Sequence, residues 1–180
     1  YTVTKEETEA EYGFTDSMQA FLSLESEVLL NVGFKLTDAA GNVLPADQAI
    51  AEEGNVGLLI WKGEAAPAEA TFETAEIVLS AVYDTGDGRY EAKTDGIPAK
   101  ELGDAMCFMP FYTNGTDFIY GRMITNYSPK KYCYGQIKNV PKEVPLMVSI
   151  LNYGAAAQEY LSYNTDNLMN SDLTEEQKAL

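Results

Sequence analysis

From Met18 onward the chain alternates apolar and polar residues. Ala20, Leu22 and Leu24 share one face, and Val28, Leu30, Val32, Phe34 and Leu36 resume it after the polar break Glu25-Ser26-Glu27. A period of two is that of a strand with one buried face, so these residues predict a hairpin. Gly41-Asn42, between the apolar flanks of Asp38 to Leu44, predicts a tight turn. Val56 to Lys62 is a short apolar run bounded by Gly54 and Gly63, and Glu76 to Tyr83 alternates as Ile77, Leu79, Ala81 and Tyr83 before the turn-rich stretch Asp84 to Tyr90. Ala105 to Thr113 and Phe118 to Asn126 flank Asn114-Gly115-Thr116, a strong hairpin signal because Asn-Gly accepts the positive φ angles of a primed turn. About seven or eight short strands with regular turns predict an immunoglobulin-like antiparallel β-sandwich over residues 14–127. Residues 1–13 are polar, acidic and aperiodic, and are expected to be a flexible tail.

The period changes after Tyr127. Ser128 is placed to cap a helix with Pro129 in its first turn, which predicts a short helix to about Lys138. Pro141 and Pro145 interrupt the chain. Met147, Ile150, Tyr153, Gly154, Ala157 and Leu161 then recur at helical spacing, predicting a helix from Leu146 to the Tyr163-Asn164 region. Glycine costs about 1 kcal/mol relative to alanine in a helix interior, so Gly154 implies close approach of a neighbour. Gly154 and Ala157 are therefore expected to face the sheet, with Tyr153, Tyr160 and Tyr163 as helix-to-sheet contacts. Thr174 and Gln177 have the spacing of a capping box and predict a last short helix. Without an internal linker, residues 128–180 are expected to dock on the sandwich as one compact unit.

Three stretches carry a family resemblance: DGIPAKELGD (Asp95 to Asp104), NYSPKKY (Asn126 to Tyr132) and LNYGAAAQEYLSYNTDNLMNSDLTEEQ (Leu151 to Gln177). In that order they resemble the motifs GIAAKxMxD, YSVxxYA and LNYGAAAQxYFxYxTDxLAN of a recurrent, uncharacterised module in large surface or secreted proteins of gut clostridia. SLESEVLLNVGFKL looks like the same module's early SLxDDIxINFY element, so the match runs from Leu22 to Gln177. The resemblance implies an extracellular, repeated or appended β module with a helical tail, and no catalytic residues to carry over. The chain departs from it at Pro98 and Pro129 and in having Cys107 and Cys133.

Composition narrows the chemistry. With 28 acidic and 12 basic residues the formal charge is −16, a field that repels nucleic acid and anionic membranes. No apolar run reaches the roughly 18 residues of a membrane span. The small number of Lys and Arg beside 12 tyrosines leans toward a secreted or cell-surface protein. Histidine is absent, which removes the commonest general base and zinc ligand. Cys107 and Cys133 are either two buried thiols or one disulfide closing a loop of about 25 residues.

A glycosidase would need two carboxylates about 5 to 9.5 Å apart. Glu76, Glu101 and Asp104 lie nearest apolar sequence, but no pair is singled out, and a local turn or cap accounts for Asp104. Asp84 and Asp87 are weak calcium candidates, as are Asn164, Asp166 and Asn167, since neither turn has the twelve-residue loop with its terminal glutamate. Trp61, Tyr83, Tyr90, Tyr112 and Tyr120 could form an aromatic sugar-binding surface, although alternation turns half of such a set inward. The expected function is a non-catalytic extracellular module for adhesion, spacing or binding of a glycan or cell-surface protein, without cofactor or metal. A carbohydrate-active hydrolase and a purely structural spacer are the alternatives.

Overall fold

The computed structural model describes residues 12–25, 27–44, 55–84 and 86–180. Among them the strands are β1 (Tyr12–Phe14), β2 (Gln19–Leu24), β3 (Val28–Phe34), β4 (Leu36–Asp38), β5 (Val56–Lys62), β6 (Ile77–Asp84), β7 (Arg89–Lys93), β8 (Met106–Thr113), β9 (Phe118–Tyr120) and β10 (Ile124–Tyr127). The expected tail lies outside the described residues as far as residue 11, but Tyr12 and Gly13 belong to β1, which pairs with β4. Aromatic packing explains the earlier start: Tyr12 meets Tyr112 edge-on at 5.1 Å and Phe14 meets Phe34 at 5.8 Å.

All the pairings are antiparallel. The main sheet has the order β10-β8-β5-β6-β7-β3-β2, with β9 also on β8, and β1 and β4 form a separate ladder. β6 is shared between two halves of the sheet: Ile77–Ser80 pair with β5, and Ala81–Asp84 pair with β7. The sheet curls about this joint, so that Leu30, Val32 and Phe34 of β3 meet Leu58 and Ile60 of β5 and Phe108 of β8 in one core. The hydrogen bonding thus defines an antiparallel sheet curled through a common strand, where strand count had suggested the two separate sheets of an immunoglobulin-like sandwich.

β5 and β8 are buried on both faces. Their outer side chains Leu59, Trp61, Cys107, Met109 and Phe111 are covered by Phe72, Phe118 and Tyr120, which is why VGLLIWK and MCFMPFY read as apolar runs without alternation. The β8–β9 hairpin forms where Asn-Gly predicts it, but Thr113 pairs with Phe118 across a four-residue loop in which Gly115 has φ 92° and Asn114 does not have positive φ, its Oδ1 instead accepting from the Thr116 and Asp117 amides.

Three helices follow. In α1 (Pro129–Asn139) the Ser128 hydroxyl accepts a hydrogen bond from the Lys131 amide at 3.3 Å. α2 spans Val144–Leu161 and ends at Ser162, which has φ 51°. α3 (Glu175–Lys178) carries the full Thr174/Gln177 capping box. A second core joins Leu102, Cys133, Met147, Val148, Leu151, Ala155, Met169 and Leu173 to Val28 at the start of β3. The helices therefore pack on one end of the sheet and on the segment leading through the 3-10 turn Ala99–Glu101.

The buried stripe of α2 is Met147, Val148, Ile150, Leu151, Gly154, Ala155 and Gln158, so Gly154 is buried, but against Met169 and Ala99 rather than the sheet it was expected to face, and Ala157 is only half-buried. At 3.6 residues per turn, Tyr153 and Tyr160 fall on the far side of the helix from this stripe. They are 62% and 88% exposed rather than packed between helix and sheet, contrary to the expectation for them.

Candidate functional site

The segments 95–104, 126–132 and 151–177, which carry the family resemblance, meet in space. A Cβ on Gly154 would lie 2.7 Å from Met169 Cγ and 3.3 Å from the Ala99 carbonyl oxygen, so only glycine lets these pieces close up. Gln158 is fully buried one turn later, and its Oε1 accepts a hydrogen bond from the Met169 amide at 2.8 Å. From α1 the Lys130 amide donates to the Leu102 carbonyl at 3.0 Å. The Lys130 ammonium donates to Asn167 Oδ1 at 2.8 Å, the Leu168 carbonyl at 2.7 Å and Ser171 Oγ at 3.3 Å. Burial lowers the Lys130 pKa, against the raising influence of Asp172.

A cleft opens beside this junction, and the strand register explains it. Continued past Ala81↔Ala92, the β6–β7 ladder would set Leu79 opposite Thr94. Thr94 is engaged elsewhere: its amide donates to the Leu30 carbonyl and its hydroxyl accepts from the Leu30 amide, both at 3.0 Å. The Ile97 amide donates to the Val28 carbonyl at 2.9 Å. The chain after β7 thus stays with β3 while Ile77–Ser80 follow β5, and a space of about 600 Å³ is left between them. Ile60, Ile77, Leu79, Ile97 and Met106 make its lining apolar, and Glu64, Asp95, Glu101 and Asp104 place four carboxyl groups there, with Lys62 the one cation among the described lining residues. Tyr163 and Asn167 close the helical side.

Tyr163 is fixed from two directions. Its hydroxyl donates to Asp104 Oδ2 at 2.5 Å, and the Lys100 ammonium lies 4.8 Å from its ring centre. The Asp104 hydrogen bond, followed by burial and the charges of Asp104 and Glu101, pushes the phenol up to about 12, so it remains a neutral donor at ordinary pH. A second groove of about 730 Å³, lined by Leu24, Val28, Pro98 and Tyr153, shares the Gly96–Pro98 wall with this cleft.

Of the candidate site residues singled out from sequence, Glu101, Asp104, Asn164 and Asn167 line the cleft, and the others lie elsewhere. Trp61, Tyr90 and Tyr112 are buried, and Trp61 Nε1 donates to the Thr74 carbonyl at 2.8 Å. Tyr83 packs edge-on against Tyr90 at 5.1 Å, and half-buried Tyr120 accepts a hydrogen bond from the Phe72 amide at 3.0 Å. These rings do not form an exposed sugar-binding surface: the strands bearing Trp61 and Tyr112 are covered on both faces, and Tyr90 points into the core.

Asp84 and Asp87 come together with Glu91, their carboxylate oxygens within 4.8 Å of one another. The cation among them is Arg89, whose Nη2 lies 2.8 Å from Asp87 and 2.6 Å from Glu91, while Asp84 Oδ1 accepts from the Gly86 amide at 2.8 Å. Glu76 accepts a hydrogen bond from the Lys62 amide at 2.9 Å. Cys107 and Cys133 are free thiols in different cores, so the disulfide alternative falls. Burial pushes the Cys133 thiol up to about 12.

Sequence reasoning passed over Gln158, Lys130 and the Tyr163–Asp104 contact. Gln158 had a legible signal, a polar residue four after Gly154 and seven after Leu151 on the stripe that the helix buries. Lys130 and Tyr163 had none, because their partners are set by tertiary packing.

Comparison with protein-family models and with curated proteins finds no match to the chain. No helix among the described residues is long and apolar enough to cross a membrane.

Proposed function

We propose that the chain is a non-catalytic module of a bacterial surface or secreted protein, and that it binds a ligand in the cleft between β6, the 94–106 segment and the Tyr163–Asn167 loop. The observation that carries this reading is the cleft itself: an apolar lining with a few convergent polar groups, of the size and character of small-ligand sites. Its walls are held by the Gly154, Gln158 and Lys130 contacts, so the cavity is preformed and little ordering free energy opposes binding. The compositional lean and the clostridial resemblance support the surface or secreted setting.

The test is a glycan-array, polysaccharide and peptide-library screen of the purified protein, repeated with Ile77→Arg, which places a bulky cation at the mouth of the cleft. Tyr160→Ser, on the exposed side of α2, is the control. Binding abolished by the first change and kept by the second is expected. Binding insensitive to Ile77→Arg would remove the cleft from the reading, and no binding to any probe would leave the structural-spacer alternative in its place.

One observation favours the hydrolase alternative: Glu101 and Asp104 both line the cleft. Against it, Asp104 is engaged by the Tyr163 hydroxyl and Glu101 lies 3.6 Å from the Lys100 ammonium, so both carboxylates already have partners. Turnover of an aryl-glycoside or polysaccharide that disappears in Glu101→Gln would replace the binding reading with the hydrolytic one.

A further inference from the structure

The strand that borders the cleft has an open edge. Ile77–Ser80 pair with β5 on one side, and on the other the β6–β7 ladder stops at Ala81↔Ala92. In an antiparallel strand the peptide groups point alternately to either side, so about half of those between Ile77 and Ser80 face the cleft. Exposed edges are ordinarily blunted by lysine, proline or a bulge. The stretch Ile77-Val78-Leu79-Ser80 has no charge and no proline. Ile77 is 40% and Val78 42% exposed, so apolar surface flanks these backbone groups.

Resting on the reading of the cleft as the ligand seat, we infer that its ligand is an extended peptide segment bearing Lys or Arg, which adds as a strand to β6 at Ile77–Ser80. It takes the place that a continued β7 would have filled, antiparallel to β6. Strand addition supplies main-chain hydrogen bonds for affinity, and alternate side chains supply selectivity. One set of side chains enters the apolar lining at Ile60, Leu79 and Met106, and the carboxylates of Asp95, Glu101 and Asp104 attract the basic residues. Charge chooses among peptides: the lining sets four carboxyl groups against Lys62, with Lys100 beside it paired to Glu101, and the chain carries −16, so an acidic segment is repelled.

The probe is a short, end-blocked peptide alternating lysine and valine, titrated while the backbone amides are followed by NMR and hydrogen exchange. Two companions carry the comparison: the same peptide N-methylated at every second residue, and a glutamate-valine version. Expected are shifts centred on residues 77–80 and 94–104, slowed exchange of cleft-facing amides between Ile77 and Ser80, and affinity lowered by about tenfold or more on N-methylation as main-chain hydrogen bonds are lost. The glutamate version should not bind. Equal binding of the N-methylated peptide without protection of β6 would overturn strand addition and leave charge attraction alone. Binding of a glycan in the cleft with no binding of the lysine-valine peptide would overturn this inference and leave the ligand seat standing. Failure of peptide and glycan alike would overturn both.

Discussion

Gly154 and Met169 touch so closely that a Cβ on the glycine would lie 2.7 Å from Met169 Cγ. The contact brings the middle of α2 against the segment that returns after it, and the Ala99 carbonyl on the other side leaves no slack. Gly154→Ala should gain about 1 kcal/mol of helix propensity and still destabilise, because overpacking of this kind costs about 1–3 kcal/mol. Gly154→Leu should cost more than the alanine change. Urea melts of the two variants check this, and unchanged midpoints would mean that α2 is not closely docked.

Lys130 and Gln158 hold the same returning segment by hydrogen bonds. Lys130→Met removes the donor to Asn167, Leu168 and Ser171, and Gln158→Leu leaves the buried Met169 amide without its acceptor. Gln158→Leu is expected to lower stability by about 1–3 kcal/mol, the cost of an unsatisfied buried group, and Lys130→Met by less, because water can replace the ammonium at exposed Asn167 and Ser171. The double variant should fall short of additivity, because both side chains secure residues 167–169.

Alkali should unfold the chain through protons that the folded state holds too tightly. Burial raises Cys133 from 9.0 and Tyr127 from 10.0 to about 12, and the Asp104 hydrogen bond raises Tyr163 from 10.0 to about 12. Above pH 9 the unfolded chain releases protons that the folded chain keeps, so stability is fully present below that pH and falls toward pH 12. Urea midpoints measured from pH 7 to 11 should decline from about pH 9 upward. Cys133→Val should flatten the first part of the decline, because its reference value of 9.0 lies below the 10.0 of Tyr127 and Tyr163.

Arg89 sits among Asp84, Asp87 and Glu91 as the resident cation, paired with Asp87 and Glu91. Millimolar calcium should therefore leave the melting temperature of the native chain almost unchanged. Arg89→Gln removes the resident cation and should make the melting temperature rise on addition of calcium. A rise of the same size in the native protein would show that the guanidinium is displaced by the metal.

What was legible in the sequence is local. The polar break between Leu24 and Val28, Asn114-Gly115, the Ser128 cap and the Thr174/Gln177 box each act within a few residues, and each marks an element boundary found in the fold. The cleft is different. It depends on Thr94 choosing Leu30, 64 residues away, over Leu79, and no property of either neighbourhood announces that choice. Trp61, in an apolar run that reads more readily as core than as a binding surface, is core, because β5 is buried on both faces. Tyr153 and Tyr160 misled because their spacing fits a helix, while spacing alone does not say which side the protein covers.

The most direct measurement is a fragment screen by amide NMR, using a library that spans cationic, polyol and aromatic fragments, with every shift assigned along the chain. Binding in the cleft predicts that perturbations gather on residues 77–80, 94–106 and 163–167. Perturbations gathered on the exposed tyrosines of α2, or spread without focus over the surface, would contradict it.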